Sequence, residues 1–82
     1  MADKETFKKW FDEGIEKEAT HMIIVYNMPD QETCPVFVSA HRSAQKKAEA
    51  YDAMNNQRVT EVYSLSIDFD EQYRENPCFN FD

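Results

Sequence analysis

The stretch Thr20-His21-Met22-Ile23-Ile24-Val25-Tyr26-Asn27-Met28 carries apolar side chains on both sides of an extended chain. Successive strand residues alternate faces, so Ile23 and Val25 point one way and Met22, Ile24 and Tyr26 the other. A strand exposed on one face shows polar residues at every second position. The two-sided pattern here predicts a central strand rather than an edge.

Before it, residues 4–18 read as a helix. Phe7, Trp10, Phe11 and Ile15 recur at helical spacing and form one apolar stripe, on which Trp10 reads as a core residue. Asp3 is placed to cap the start, and Glu13 and Lys17 make an i,i+4 pair in the favourable order. Gly14 costs about 1 kcal/mol relative to Ala inside a helix. Its presence is accounted for if the helix packs closely against the sheet.

After it, residues 29–35 read as a polar loop, and residues 36–40 as a second strand opened by Pro35. Residues 43–54 form a second helix. Ser43 is its N-cap, Ala44, Ala48 and Tyr51 lie on its inner side, and Asn55-Asn56 end it. Residues 59–67 fit either a helix or a strand. Their richness in Val, Thr, Tyr and Ser favours strand, with Val59, Tyr63, Leu65 and Ile67 on one face and Glu61 as the exception. Asp68 then caps a short helix over residues 69–76, stopped by Pro77, and residues 77–82 remain as a flexible tail. Phe79-Asn80-Phe81 alternates apolar and polar, which suits an added strand, on this sheet or a partner's, as well as rings patching the core.

The predicted fold is a single small α+β domain spanning residues 1–82, of order α-β-β-α-β-(α). A hairpin sets strand 2 beside strand 1, and a right-handed crossover through the second helix carries strand 3 to its other side, giving sheet order 2-1-3. Both long helices are expected on one face. The opposite face is then partly open, a candidate surface for a homodimer or another partner.

The 82 residues hold 16 acids and 9 bases, a formal net charge of −7. Six Phe, four Tyr and one Trp beside the Ile/Val runs exclude an intrinsically disordered chain, and one Gly with two Cys excludes collagen and a disulfide scaffold. A domain of this size buries only about 60–65% of its chain's surface, which leaves little room for an enclosed pocket. The longest apolar run, Met22 to Tyr26, falls far short of the ~20 residues that a bilayer core requires. The first ten residues alternate charges without an apolar signal core, so the expected location is the cytoplasm, with Cys34 and Cys78 reduced.

The charge is uneven. Residues 59–82 contain six acids and only Arg74, so this last segment carries −5 of the −7. That field disfavours direct nucleic-acid contact and favours a partner with a basic surface, met by Asp68, Asp70, Glu71 and Glu75. The opposite sign gathers around the second helix. His41, Arg42, Lys46 and Arg58 are the candidate residues for an anionic ligand or nucleotide signal, against the plainer reading of a solvated helix face.

No cofactor is expected. His21, His41, Cys34 and Cys78 have the count of a zinc site but not its spacing. Asp68-Phe69-Asp70-Glu71 lacks the glycine and distant Glu of a calcium loop, and Asp30 with Glu32 would need a remote acid to hold magnesium. No nucleophile elbow or Gly-rich phosphate loop occurs. Cys34 paired with His21 or His41 is the one enzymatic arrangement left to a fold that brings them together, and the expected protein is not an enzyme.

Three stretches, residues 19–25, residues 35–38 and residues 56–65, together resemble a group of small proteins from bacteria and their phages or mobile elements. The likeness covers most of residues 7–75, and Thr20-His21-Met22-Ile23 is its most specific piece. The group has no assigned activity, so the resemblance transfers no catalytic residue. Relatives tend to be more acidic and aromatic after the first strand than Asn27 to Cys34 is here, which weakens any metal or acid–base role for this loop. The resemblance implies an expectation about setting: a small acidic protein of such origin that inhibits a host defence complex by binding it, in the manner of an anti-CRISPR protein.

Overall fold

The computed structural model describes residues 3–53, 56–75 and 78–81. The elements run α1 (Lys4–Glu16), β1 (His21–Asn27), β2 (Glu32–Val38), α2 (Ala44–Asp52), β3 (Gln57–Ser64) and α3 (Phe69–Arg74). The sheet has the order β2-β1-β3, which places β1 in the middle as its two-sided apolarity predicts, and β1 is antiparallel to both neighbours. Gln57–Ser64 is strand, which resolves the helix–strand ambiguity in favour of the β-branched composition, but residues 65–67, expected to continue it, form the turn into α3.

α1 is delimited by local chemistry at both ends. The Asp3 carboxylate accepts from the Thr6 N–H and hydroxyl, each at 2.9 Å, and these hydrogen bonds hold its pKa below the usual value. At the other end Glu18 N–H donates to Ile15 O and Ala19 N–H to Gly14 O, with Glu18 in the left-handed region at φ 59°. This is a Schellman cap with a glutamate where glycine is usual. Gly14 lies against the sheet. A Cβ there would fall 2.8 Å from Leu65 Cδ1 and 2.9 Å from Phe37 Cε1, so the close approach expected of this glycine is what the packing uses.

The hairpin and the helices differ from the sequence-based expectation in two respects. β2 begins at Glu32, and Pro35 sits mid-strand opposite Ile24. Thr20 N–H donates to Val38 O, so β2 turns its even-numbered backbone groups toward β1. Lys47 Nζ reaches Phe37 O at 3.5 Å on the other side. Pro35 therefore turns its missing N–H to the outer edge, where no ladder bond is lost and strand addition is discouraged.

The two long helices do not share a face. Phe7 and Phe11 of α1 pack on Met22, Ile24 and Tyr63 together with Phe69 of α3 and Cys78. Ala44 and Ala48 of α2 pack on Ile23, Val25, Val38 and Val62. Each set comes from one side of β1. The helices that share a face are α1 and α3, and the face expected to stay open for a homodimer is covered by α2. A fully buried central strand needs cover on both sides, and the crossover helix supplies the second. The register shift between Ile24 and Val25 moves Val59 to the α2 side, away from Tyr63.

The free edge of β3 is closed by side chain and tail. The Gln72 amide receives Ser64 N–H at 2.7 Å and donates to Ser64 O at 2.8 Å, imitating a neighbouring strand. Val62 N–H donates to Cys78 O at 2.8 Å and Asn80 N–H to Val62 O at 3.0 Å, so the tail adds a short parallel bridge to its own sheet. α2, expected to reach Met54 and to be ended by Asn55-Asn56, stops at Asp52 with Ala53 as its C-cap, and α3, expected to reach Asn76, stops at Arg74 with Glu75 as its C-cap; Met54, Asn55, Asn76 and Pro77 lie outside the described residues. No helix among the described residues is long and apolar enough to cross a membrane.

Candidate functional site

The four acids singled out in the sequence lie together on and around α3, all exposed. Two have structural duties. Asp68 caps α3 by accepting from Glu71 N–H at 3.2 Å, and Asp70 pairs with Lys4 Nζ at 3.2 Å, tying α3 to the first turn of α1. Lys4 Nζ also stands 5.6 Å from the centre of the Tyr73 ring. Among the described residues the Glu71 and Glu75 carboxylates make no hydrogen bond or ion pair. The short helix is anchored underneath by Phe69 and Gln72, 2% exposed each, so the two free carboxylates stand on a fixed support.

The basic residues divide. His41, Arg42, Ser43, Lys46 and Lys47 line an open groove of about 500 Å³ where β2 passes into α2. Ser43 Oγ accepts from Lys46 N–H at 3.3 Å and fixes the turn. Arg58 is not part of it: this residue pairs with Tyr26 in the sheet, and its neighbour Val59 donates its N–H to the carboxylate of Asp52 at the far end of α2. Lys47 takes its place in the lining. The ion pairs among the described residues are Lys4–Asp70, Lys8–Asp12 and Glu13–Lys17, all involving α1. No base of the α2 groove is neutralised in that way.

Sequence reasoning missed a buried polar group. Glu61 is 8% exposed and accepts a hydrogen bond from the Tyr63 hydroxyl. The only local sign was a lone acid interrupting the apolar face of a strand. Burial, and then the hydrogen bond and charge of Glu61, push the Tyr63 hydroxyl well above its usual pKa. Burial, then the Glu61 charge, likewise pushes the Cys78 thiol up to about 11, and that thiol reaches Val62 O at 3.5 Å. Cys78 is thus a protonated, structural thiol at neutral pH rather than a nucleophile.

The Cys–His arrangement is not assembled. Cys34 pairs with Val25 and His21 with Val38, four residues further along β2, or about 13 Å at strand rise. His41 lies beyond the same far end of β2. Both cysteines are free; Cys34 accepts from Asn27 Nδ2 at 3.5 Å on the α2 side, and Cys78 belongs to the α1 side. Among the described residues no three His, Cys, Asp or Glu side chains are placed to hold a metal ion. Comparison with protein-family models, with curated proteins and with solved structures found no match.

Proposed function

We propose that the protein is a non-enzymatic interaction module that binds a protein partner with a basic surface through the acids of α3. The observation that carries this reading is the division of labour on that helix: Asp68 and Asp70 fix it in place, while Glu71 and Glu75 keep unpaired, exposed charge. Exposed charges of one sign on a rigid support steer a partner of opposite sign and set its orientation. A basic surface that otherwise holds nucleic acid fits this description, so the partner class is a nucleic-acid-handling complex of the cytoplasm. A host defence effector of the CRISPR kind, met by a phage or mobile-element inhibitor, is the specific instance we favour.

The test mixes the protein with such effectors and measures complex formation and nuclease activity at two salt concentrations. Glu71→Gln with Glu75→Gln is the informative variant, because it removes free charge and leaves the Asp68 cap and the Asp70 pair in place. Binding should weaken severalfold in the variant and should lose most of its salt dependence. Equal binding and an equal salt slope would remove the electrostatic basis of the reading.

A second reading rests on the unneutralised groove of His41, Arg42, Lys46 and Lys47, which suits an anionic small ligand. Nucleotides at a hundred times their Kd would raise thermal stability by about 2.7 kcal/mol through mass action. A flat melting temperature across a nucleotide panel eliminates it.

A further inference from the structure

The C-terminal segment carries two of the largest apolar groups left to solvent: Phe79 is 49% exposed and Phe81 37%. They are not loose. The isolated parallel bridge between Phe79 and Val62 holds the backbone extended there, and alternation divides its side chains. Cys78 enters the α1-side core, and Asn80 Nδ2 donates to Gln72 Oε1 at 2.8 Å. Phe79 and Phe81 turn to the other side, where with Ala48, Glu49, Asp52 and Val59 they line a groove of about 220 Å³.

Pockets for whole small molecules begin at about 300 Å³, so this groove suits one or two side chains of a larger partner. Its chemistry is specific. Ala48 and Val59 give an apolar floor, two phenyl rings give walls, and two carboxylates stand at the rim. Glu49 makes no side-chain hydrogen bond or ion pair among the described residues, and Asp52 spends only Oδ1, on Val59 N–H at 3.2 Å. Ring faces and carboxylates attract the same thing, a cation, and a guanidinium meets both by stacking on a ring while pairing with an acid.

We propose that this groove docks a basic segment of a protein partner, with an Arg stacked on Phe79 or Phe81 and paired with Glu49, next to an aliphatic side chain seated on Ala48 and Val59. The sign of the partner rests on the interaction reading above, but the surface is a different one, across the sheet from α3.

The test is a titration of the isotopically labelled full chain, followed by NMR, with the end-blocked peptide Gly-Ser-Arg-Leu-Arg-Ser-Gly and with its counterpart carrying Glu in place of Arg. The Arg peptide should shift the amides of Ala48, Glu49, Val59 and Phe79 saturably, with a Kd at or below about 1 mM. The Glu peptide should shift none of them. Phe79→Ala with Phe81→Ala should weaken binding at least tenfold, and Glu49→Lys, an exposed change on α2, should abolish it. Glu71→Gln with Glu75→Gln should leave this response unchanged. Absence of saturable shifts at the groove, or equal binding by Phe79→Ala/Phe81→Ala and by Glu49→Lys, overturns the proposal. So does a sedimentation result in which the wild-type rings hold two copies together. Shifts confined to the α3 amides overturn it while leaving the α3 reading standing.

Discussion

The two sides of β1 are covered in unequal ways. On the α1 side the cover is aromatic: Phe11 meets Phe69 with ring centroids 5.4 Å apart, Phe69 stacks on Tyr63 at 5.6 Å, and Phe7 reaches Tyr63 at 6.2 Å. On the α2 side the cover is two alanines, Ala44 and Ala48, with Tyr51, Cys34, Val36 and Val59 only half-buried around them. Rings bury large areas and interlock, whereas alanines give close contact with little area. One strand thus feeds a thick core that holds the fold and a thin one whose margins remain concave. The grooves at the two ends of α2, basic at its start and aromatic-acidic near its end, are the consequence.

Removing rings is the strongest way to break this contrast. Phe69→Ala should cost about 3–5 kcal/mol in chemical denaturation, whereas Val59→Ala on the thin side should cost about 1 kcal/mol. Equal losses would show that the α2 side contributes as much as the aromatic side. Next in size is Gln72→Leu. It removes the Gln72 amide from both backbone groups of Ser64 and from Asn80, at a cost of about 2–3 kcal/mol. The same variant should loosen the tail, read as faster amide exchange at Val62.

The alkaline limb sharpens the contrast further. The Cys78 thiol, raised from 9.0 to about 11, favours the folded state while protonated. Its contribution is complete below the unfolded value and is lost as pH rises from about 9 to about 11, with Tyr63 adding loss above its own ordinary range. A denaturation series should therefore fall over that window, and Cys78→Ala should flatten it. Cys34 should take up an alkylating reagent at pH 8 well before Cys78. The smallest effect is expected at Glu18. Its left-handed backbone costs a non-glycine residue about 1 kcal/mol, so Glu18→Gly should stabilise by up to that amount in a thermal or denaturant melt.

Much of the architecture was legible because single residues constrained it. The apolar run from Met22 to Val25 required a middle strand, Ser43 and Asp68 marked helix starts, and Gly14 marked a close approach. What was not legible depended on three-dimensional placement. An apolar stripe does not say which face of a sheet it meets, so α1 and α2 were expected together. Pro35 signals a strand start unless its N–H side is an outer edge. Gln72 looks like a solvated helix residue until the edge of β3 lies beside it. For the surface sites, Asp68, Asp70, Glu71 and Glu75 are neighbours in the chain and share one short helix, so their gathering could be read directly. Arg58 was separated from His41, Arg42 and Lys46 by the length of α2. The groove at Phe79 and Phe81 needed both the tail bridge and the α2 placement, neither of which the local pattern fixes.

α3 is clamped to the sheet in advance and presents Glu71 and Glu75 on a rigid base, while α2 is held more weakly. Native-state amide exchange tests this most directly, through the Ser64 N–H whose acceptor is the Gln72 side chain. The predicted result is exchange of Ser64 only with global unfolding, alongside α1, and exchange of α2 amides by smaller local openings. Exchange of Ser64 at the rate of a loop amide, with α2 protected as strongly as α1, would contradict it.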